Sequence, residues 1–429
     1  KAGRDTMTGM PVFPPLSPFL AGEVKQWTVG GQAARIFFYD PMVRLAGVYG
    51  LGRVRNPPAA VIDALAAILG DEAVSAAVAR AERSGSDTPV ADVMVRIGSP
   101  AVPALIAALG SDRQYARFEA AYALGRMGRA ARDAVTALRQ DRGERFANVA
   151  FETAVASVLV GGPPDDAIAL LVANAGYEQP AGRRAVAESL GRLGPAAAPA
   201  AETLAKLARD PDESVRTAAR PALAAIGPAA AEVALPLLLE DVKSAKGFAR
   251  SLAVDRIARL GPAAQEAGPV LAELLADEDI VRPAAIRALQ AVGGKALSAA
   301  RPQILAAVRT ALADGGTFNA RLPCELLGDL GTDGLGPDLA EAVRPLARGL
   351  TARSAAFRWE AARTLARLGR PAEAAGPALE TALGDLDPYV QVWAAAALIR
   401  VTGRTEPYLP WIADASDSAL VRIVGPSAR

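Results

Sequence analysis

The chain has 429 residues, 51% of them hydrophobic, with 47 Lys plus Arg against 46 Asp plus Glu, a single cysteine and no histidine. The length allows roughly two or three ordinary domains with ample core, and the balanced charge supplies no long-range field toward nucleic acid or an anionic membrane. Without histidine there is no His-based acid-base catalysis, no Ser-His or Cys-His nucleophile pair and no His metal ligand, and the lone Cys324 excludes an intramolecular disulfide framework and every multi-cysteine metal site.

In chain order, residues 1–36 carry PVFPPLSPF and then QWTVGG, which reads as an extended Pro-rich arm followed by a turn. Seven of the 21 aromatic residues fall in residues 1–49, too dense for a free tail, so this arm is expected to pack as a cap or against a partner. The segment lacks the basic, apolar and small-residue order of a signal peptide. Because the chain begins with Lys1, an export signal removed beforehand stays compatible with it. The chain is expected to be soluble, cytoplasmic or exported, and the compartment is left open. No run of about eighteen uncharged apolar residues occurs, so no membrane span is expected.

From residue 37 to 407 the sequence repeats. Aligned on a terminal glycine, units end at Gly128, Gly161, Gly194, Gly227, Gly261, Gly293, Gly331 and Gly369, at spacings of 32 to 38 residues. Four residues before the glycine stand Leu124, Leu190, Leu223, Ile257, Leu289 and Leu365, and one before it Met127, Leu193, Ile226, Leu260, Val292 and Leu368. Eight before it the residue is small: Ala120, Val186, Ala219, Ala253, Ala285 and Ala361. Apolar residues at spacings of three and four form one helical face, and the small residue lets a neighbouring helix come close. The glycine suits a helix C-terminus, often with proline after it. A second Ala/Leu-rich helix comes next, as in AAETLAKLARD, and ends at an acidic turn such as Asp210-Pro211-Asp212, Asp277-Glu278-Asp279 or Asp387-Pro388. Each unit therefore reads as two antiparallel helices.

Arg117, Arg183, Arg216, Arg250, Arg282 and Arg358 all lie eleven residues before a terminal glycine, downstream of the turn, as in DPDESVRTAARPALAAIG. On these residues the chain resembles the HEAT-repeat family, and within it the bacterial subgroup of phycobilisome-lyase HEAT-like repeats. The resemblance implies an all-α fold, a right-handed α-solenoid of about ten to eleven antiparallel helix pairs, in which the recurring Arg and the turn Asp form a ladder between repeats. One helix pair cannot complete its own core, so neighbours must stack.

Departures from the pattern are the places to look for function. SGSDTP at 84–89 reads as an exposed loop, ADGGTFNARLP as another irregular connection, and Cys324 as a small core residue. Near the C-terminus Gln391 replaces the ladder Arg, and Tyr389, Trp393, Tyr408 and Trp411 gather around residues 408–429, a cap or truncated repeat that would serve equally as a docking surface. Arg126 and the arginines of 128–146 form a local basic patch that reads either as a phosphate site or, in a neutral chain, as solvated helix charge.

Two further departures are related. RFEAAYALGRMG at 117–128 and RWEAARTLARLG at 358–369 each set a Glu beside a large aromatic, Phe118-Glu119 and Trp359-Glu360. Ten residues before the glycine is about 200° around the helix from the small residue, so Phe118 and Trp359 are expected to face away from the main core. Tyr115, Phe118 and Tyr122 then form an aromatic stripe, with Trp359 and Arg363 in the copy, on a face other repeats keep polar. Such a patch suits partner binding or contact between adjacent repeats. No phosphate loop, DxDxDG, CxxC or HExxH occurs, so no catalytic residue, cofactor or metal is expected. The reading is a non-enzymatic protein-binding scaffold or structural subunit. The candidate contacts are Tyr115, Phe118, Tyr122, Trp359, Arg363, Trp393 and Trp411; nucleic acid is not the expected partner. The alternative is a HEAT-like enzyme, for base excision on nucleic acid or chromophore-protein ligation.

Overall fold

The computed structural model describes residues 48, 50, 56–71, 88–140, 146–277, 280–313 and 321–413. The arm expected over 1–36, the loop at 84–87, the connection at 314–320 and residues 414–429 of the C-terminal segment lie outside the described residues. Among the described residues every regular element is a helix, and the helices pack in pairs as an all-α solenoid. They form two compact units, one through Ala222 and one from Leu223, the division falling inside the helix Glu213–Ile226.

In the first unit the long first helices of successive repeats are Pro89–Ile97, Gln114–Met127, Ala147–Leu159 and Pro180–Leu193, and shorter second helices come after them, among them Val102–Ala108, Val135–Arg139 and Ala201–Leu207. The second unit continues the alternation, with first helices Gly247–Arg259, Arg282–Val292, Arg321–Leu335, Ala355–Leu368 and Pro388–Thr402. The periodic positions supply the core. Leu124, Leu190, Ile257, Leu289 and Leu365 are fully buried, as are Ala120, Val186, Ala285 and Ala361, while Met127 is half-buried. Cys324 is also fully buried, and burial pushes its thiol well above the usual range.

Small residues set the spacing between first helices. A Cβ added at Gly191 would stand 2.9 Å from the Cβ of Ala222, so these two backbones approach as closely as side chains permit. The terminal glycines Gly128, Gly194, Gly227, Gly261, Gly293 and Gly369 all have φ between +55° and +82°, a positive-φ backbone that is open at little cost only to glycine. Beyond the glycine the chain departs from the expected single helix. It first forms a 3₁₀ segment, Gly194–Ala200 for example, which delivers it into a short α-helix, Ala201–Leu207. Pro195 and Pro199 lack the N–H that an α-helical first turn would use deeper in, and the tighter turn accommodates them.

The turns between repeats divide their work between two carboxylates. Asp212 caps the next helix, its Oδ1 accepting from the N–H of Ser214 at 2.9 Å and of Val215 at 3.3 Å. Asp387 does the same for Tyr389 and Val390. The first acid faces backward: Arg183 donates from Nε and Nη2 to both oxygens of Asp210 at 2.7 and 2.8 Å, and Arg358 repeats this geometry on Asp385. Arg250 reaches Asp277 at 2.6 Å. The other arginines of the series show a different pattern. Arg117 and Arg216 donate to two carbonyls of their own upstream turn, Ser111 and Asp112, and Asp210 and Pro211. Arg282 donates to the Leu275 and Asp277 carbonyls. Arg183 and Arg358 make the own-turn bonds too, and Gln391 keeps one of them, to the Asp385 carbonyl at 2.6 Å.

One stretch, Glu213–Ser244, is long and apolar enough by composition to cross a membrane. It consists of two 14-residue helices parted at Gly227, where φ is +82°. Each is roughly 21 Å long, short of the ~30 Å hydrocarbon core.

The Arg183 guanidinium holds the Asp210 carboxyl below its ordinary 3.8 against the opposing effect of desolvation. A carboxyl lowered on folding stabilises the fold above its unfolded pKa, and that contribution is lost as pH falls. Asp210→Asn should lower the melting temperature at pH 7 by roughly 2–4 °C. The gap to the parent chain should narrow as pH falls below 3.8, in melts followed by circular dichroism.

Candidate functional site

The helix Gln114–Met127 carries Phe118, Tyr122 and Arg126 at successive intervals of four, on one face. Phe118 and Tyr122 are half-buried and their rings stack, with centroids 6.4 Å apart and planes 9° from parallel. Two guanidinium groups approach the Tyr122 ring, Arg126 at 5.6 Å and Arg192, from the helix Pro180–Leu193 two repeats on, at 5.8 Å. Both cations are themselves paired: Arg126 with Asp92, and Arg192 with both oxygens of Glu152. The face is thus an aromatic pair held between cations whose charge is already matched. Tyr115, one turn earlier, is 52% exposed and makes no ring contact with Phe118.

The second unit repeats the spacing with Trp359, Arg363 and Arg367 on the helix Ala355–Leu368. The Arg363 guanidinium lies 5.9 Å from the Trp359 ring, donates to Glu360 at 2.7 and 3.0 Å, and reaches Glu325 at 3.2 Å. Arg367 pairs with Asp329 at 2.7 Å, as Arg126 does with Asp92 in the first unit.

A third copy escapes a search for the twelve-residue pattern. Counted back from Gly161, Phe151 and Glu152 occupy the same two positions as Phe118-Glu119 and Trp359-Glu360. Phe151 is buried and packs edge-on against Tyr177 at 6.1 Å. The signal that could have found it is the register to Gly161, which the weaker match of that unit obscures. Phe151 also corrects the expectation that this position faces away from the core: neighbouring side chains decide its exposure. Trp393, a candidate contact in a segment read as either a cap or a docking surface, is 7% exposed, in the helix Pro388–Thr402 that is buried from Val390 through Val401 apart from Gln391 and Arg400. Trp411 is half-buried and Tyr389 is exposed.

The three glutamates of these pairs are all buried, at 4%, 5% and 0% exposure for Glu119, Glu152 and Glu360. Glu152 and Glu360 are matched by Arg192 and Arg363. Among the described residues Glu119 has no such partner, and its Oε2 accepts no hydrogen bond. Burial pushes its carboxyl up from 4.5 to about 7, against the Gly70 N–H and the Arg113 charge, with Asp92 and Asp71 adding to the rise. None of the three lines the cleft of about 280 Å³ that Arg117, Arg139 and Asp166 border. The basic patch is partly neutralised, Arg126 by Asp92 and Arg139 by Asp166. No group of three or more metal-ligating side chains occurs among the described residues.

No protein-family model matches the sequence, and no match was found among curated proteins. Solved structures do match in shape. The karyopherin Kap121p, in a crystal structure bound to the SUMO protease Ulp1p, aligns with a TM-score of 0.57 at 14% identity over 95% of this chain and 52% of that one. Importin beta aligns with a TM-score of 0.51 at 14% identity, over 89% of this chain and 61% of that one. In a Kap95:Nup1 complex the match has a TM-score of 0.50 at 12% identity, over 95% and 62%. The fold is a HEAT-like solenoid. At these identities the likeness extends to the fold alone, and this chain spans between about half and three fifths of the karyopherin chains it matches.

A carboxyl whose pKa is raised on folding stabilises most below its unfolded value, and the contribution is lost as pH rises through the folded one. Glu119→Gln should therefore leave stability unchanged near pH 4.5 and raise it by up to roughly 3 kcal/mol at pH 8. Urea unfolding across that range checks this, and a difference that does not grow with pH would refute the assignment.

Proposed function

We propose that the chain is a non-enzymatic protein-binding scaffold or structural subunit of a larger assembly, which docks partner proteins on the aromatic faces of its first helices. The observation that carries this reading is the Phe118–Tyr122 stack between Arg126 and Arg192, half-buried on a helix face where other repeats carry polar residues such as Arg184 and Glu188 or Ser251 and Asp255. Aromatic and arginine side chains dominate the energetics of protein interfaces, because each offers a large contact area with few rotatable bonds to immobilise. The Arg charges are fixed in place by Asp92 and Glu152, so ordering them on binding costs little. Trp359 with Arg363 is the corresponding contact in the second unit, and Tyr115 and Trp411 extend the two surfaces.

The structural neighbours support a protein partner, since Kap121p and Kap95 are seen there in complex with Ulp1p and Nup1. The finer assignment, to the bacterial phycobilisome-lyase HEAT-like repeats, rests on the recurring Arg and acidic turn. The recurring arginines act in this reading as structural fasteners of the turns rather than as contacts for a partner. An enzyme of the base-excision or chromophore-ligation type would need a carboxylate open to substrate. The burial of Glu119, Glu152 and Glu360 speaks against that use.

Photo-crosslinking from position 115, in chain returned to its native source, tests the proposal. It should join the protein to a defined partner, and Phe118→Ala with Tyr122→Ala should weaken that complex by about tenfold or more while the melting temperature falls little. Glu119→Gln and Glu360→Gln should leave it intact. Recovery of the chain alone, bound to nucleic acid with a steep salt dependence, would favour the rival reading.

A further inference from the structure

Several arginines projecting from first helices meet a carboxylate of a neighbouring repeat: Arg126 with Asp92, Arg287 with Asp255, Arg367 with Asp329. A cluster on a second helix of the second unit and the turn after it is arranged differently. Between the helices Arg301–Ala313 and Leu339–Gly349 lies a groove of about 730 Å³ bordered by Arg309, Arg344, Arg348 and Arg353, all exposed. The acid on its border is Glu341, and Arg309 engages it. Arg344, Arg348 and Arg353 make no ion pair among the described residues. Arg344 and Arg348 stand four apart on one helix, so two like charges share a face one turn apart. Like charges at that spacing repel weakly, and an anion set between them turns the repulsion into attraction for both.

We propose that this groove binds an acidic, extended peptide segment of a protein partner. Planar guanidinium forks match carboxylates two bonds at a time, and a row of them suits acids spaced along an extended chain. Leu312 and Pro345 add apolar lining for the peptide backbone and intervening side chains. Single-stranded nucleic acid is the weaker fit, because its sequence-tolerant binding depends on aromatic platforms for the bases and, among the described residues, no aromatic lines the groove. The chain as a whole has a net charge of only +1, so the attraction is local and is screened by salt. The surface shares no residue with the aromatic faces and stands independently of them.

The test uses the full chain and four fluorescent probes: a twelve-residue peptide of alternating Glu and Ser, its Gln/Ser and Lys/Ser counterparts, and a twelve-residue oligothymidine. Fluorescence anisotropy should show the Glu/Ser peptide binding at least about tenfold more tightly than the Gln/Ser peptide at low salt. Arg344→Glu with Arg348→Glu should abolish that preference and instead confer binding of a Lys/Ser peptide, a reversal that mere unfolding cannot produce. Arg344→Gln with Arg348→Gln should weaken the acidic peptide without the reversal. Phe118→Ala with Tyr122→Ala should leave it unchanged, which separates failure here from failure of the aromatic face. Equal binding of the Glu/Ser and Gln/Ser peptides, an unaltered preference in the Arg344/Arg348 variants, or tighter binding of the oligothymidine than of the acidic peptide would each overturn the proposal.

Discussion

The interaction on which the architecture rests is the bond from one side chain per repeat to the carbonyls of the turn just before it. The turn between two repeats is the place where backbone acceptors lose their helical partners, and a buried carbonyl left alone is expensive. An arginine one turn into the next helix reaches back five or six residues and satisfies them, at Ser111 and Asp112 for Arg117, Tyr177 and Glu178 for Arg183, Ala352 and Arg353 for Arg358. Gln391 preserves this bond with a shorter, neutral side chain, so the donor matters more than its charge. The carboxylate pairing of Arg183, Arg250 and Arg358 is laid on top of that, where the next turn supplies an acid 27 residues on. At Arg216 the residue at that distance is Lys243, and the arginine is left to its own turn.

The repeated helix pair was legible in the sequence because it is written locally. The apolar positions four and eight before each glycine lie within one helix, and no distant residue changes where they point. The 3₁₀ passage after the glycine was less legible: the prolines of GPAAAPA mark a break, but the choice of a tight turn over a direct second helix depends on how the two helices pack. The aromatic-Glu pairs show the limit most sharply. Phe118, Phe151 and Trp359 occupy one position, yet Phe151 is buried and the other two are half-exposed. The fate of two of the paired glutamates is likewise settled by a partner beyond the local pattern, Arg192 for Glu152 from 40 residues away and Gly70 for Glu119, whereas Glu360 is matched by Arg363 three residues on.

The same contrast explains where a functional surface can exist in such a fold. Positions that build the stack are fixed by it, so recognition must use the residues left over on each helix. In the first unit those residues are a stacked aromatic pair with neutralised arginines, and in the second a tryptophan under an arginine, along with a groove where four arginines face one acid, Glu341, among the described residues. The aromatic faces offer shape and contact area, whereas the groove offers charge.

Because each fastening side chain serves the turn that immediately precedes it, a repeat carries its own closure with it. The acid contributed by the next repeat strengthens the joint without being required, as Arg216 illustrates. A chain built on this rule can gain or lose whole repeats, and can accept a unit of 38 residues beside one of 32, without a compensating change elsewhere. Its length is therefore free to change by whole repeats.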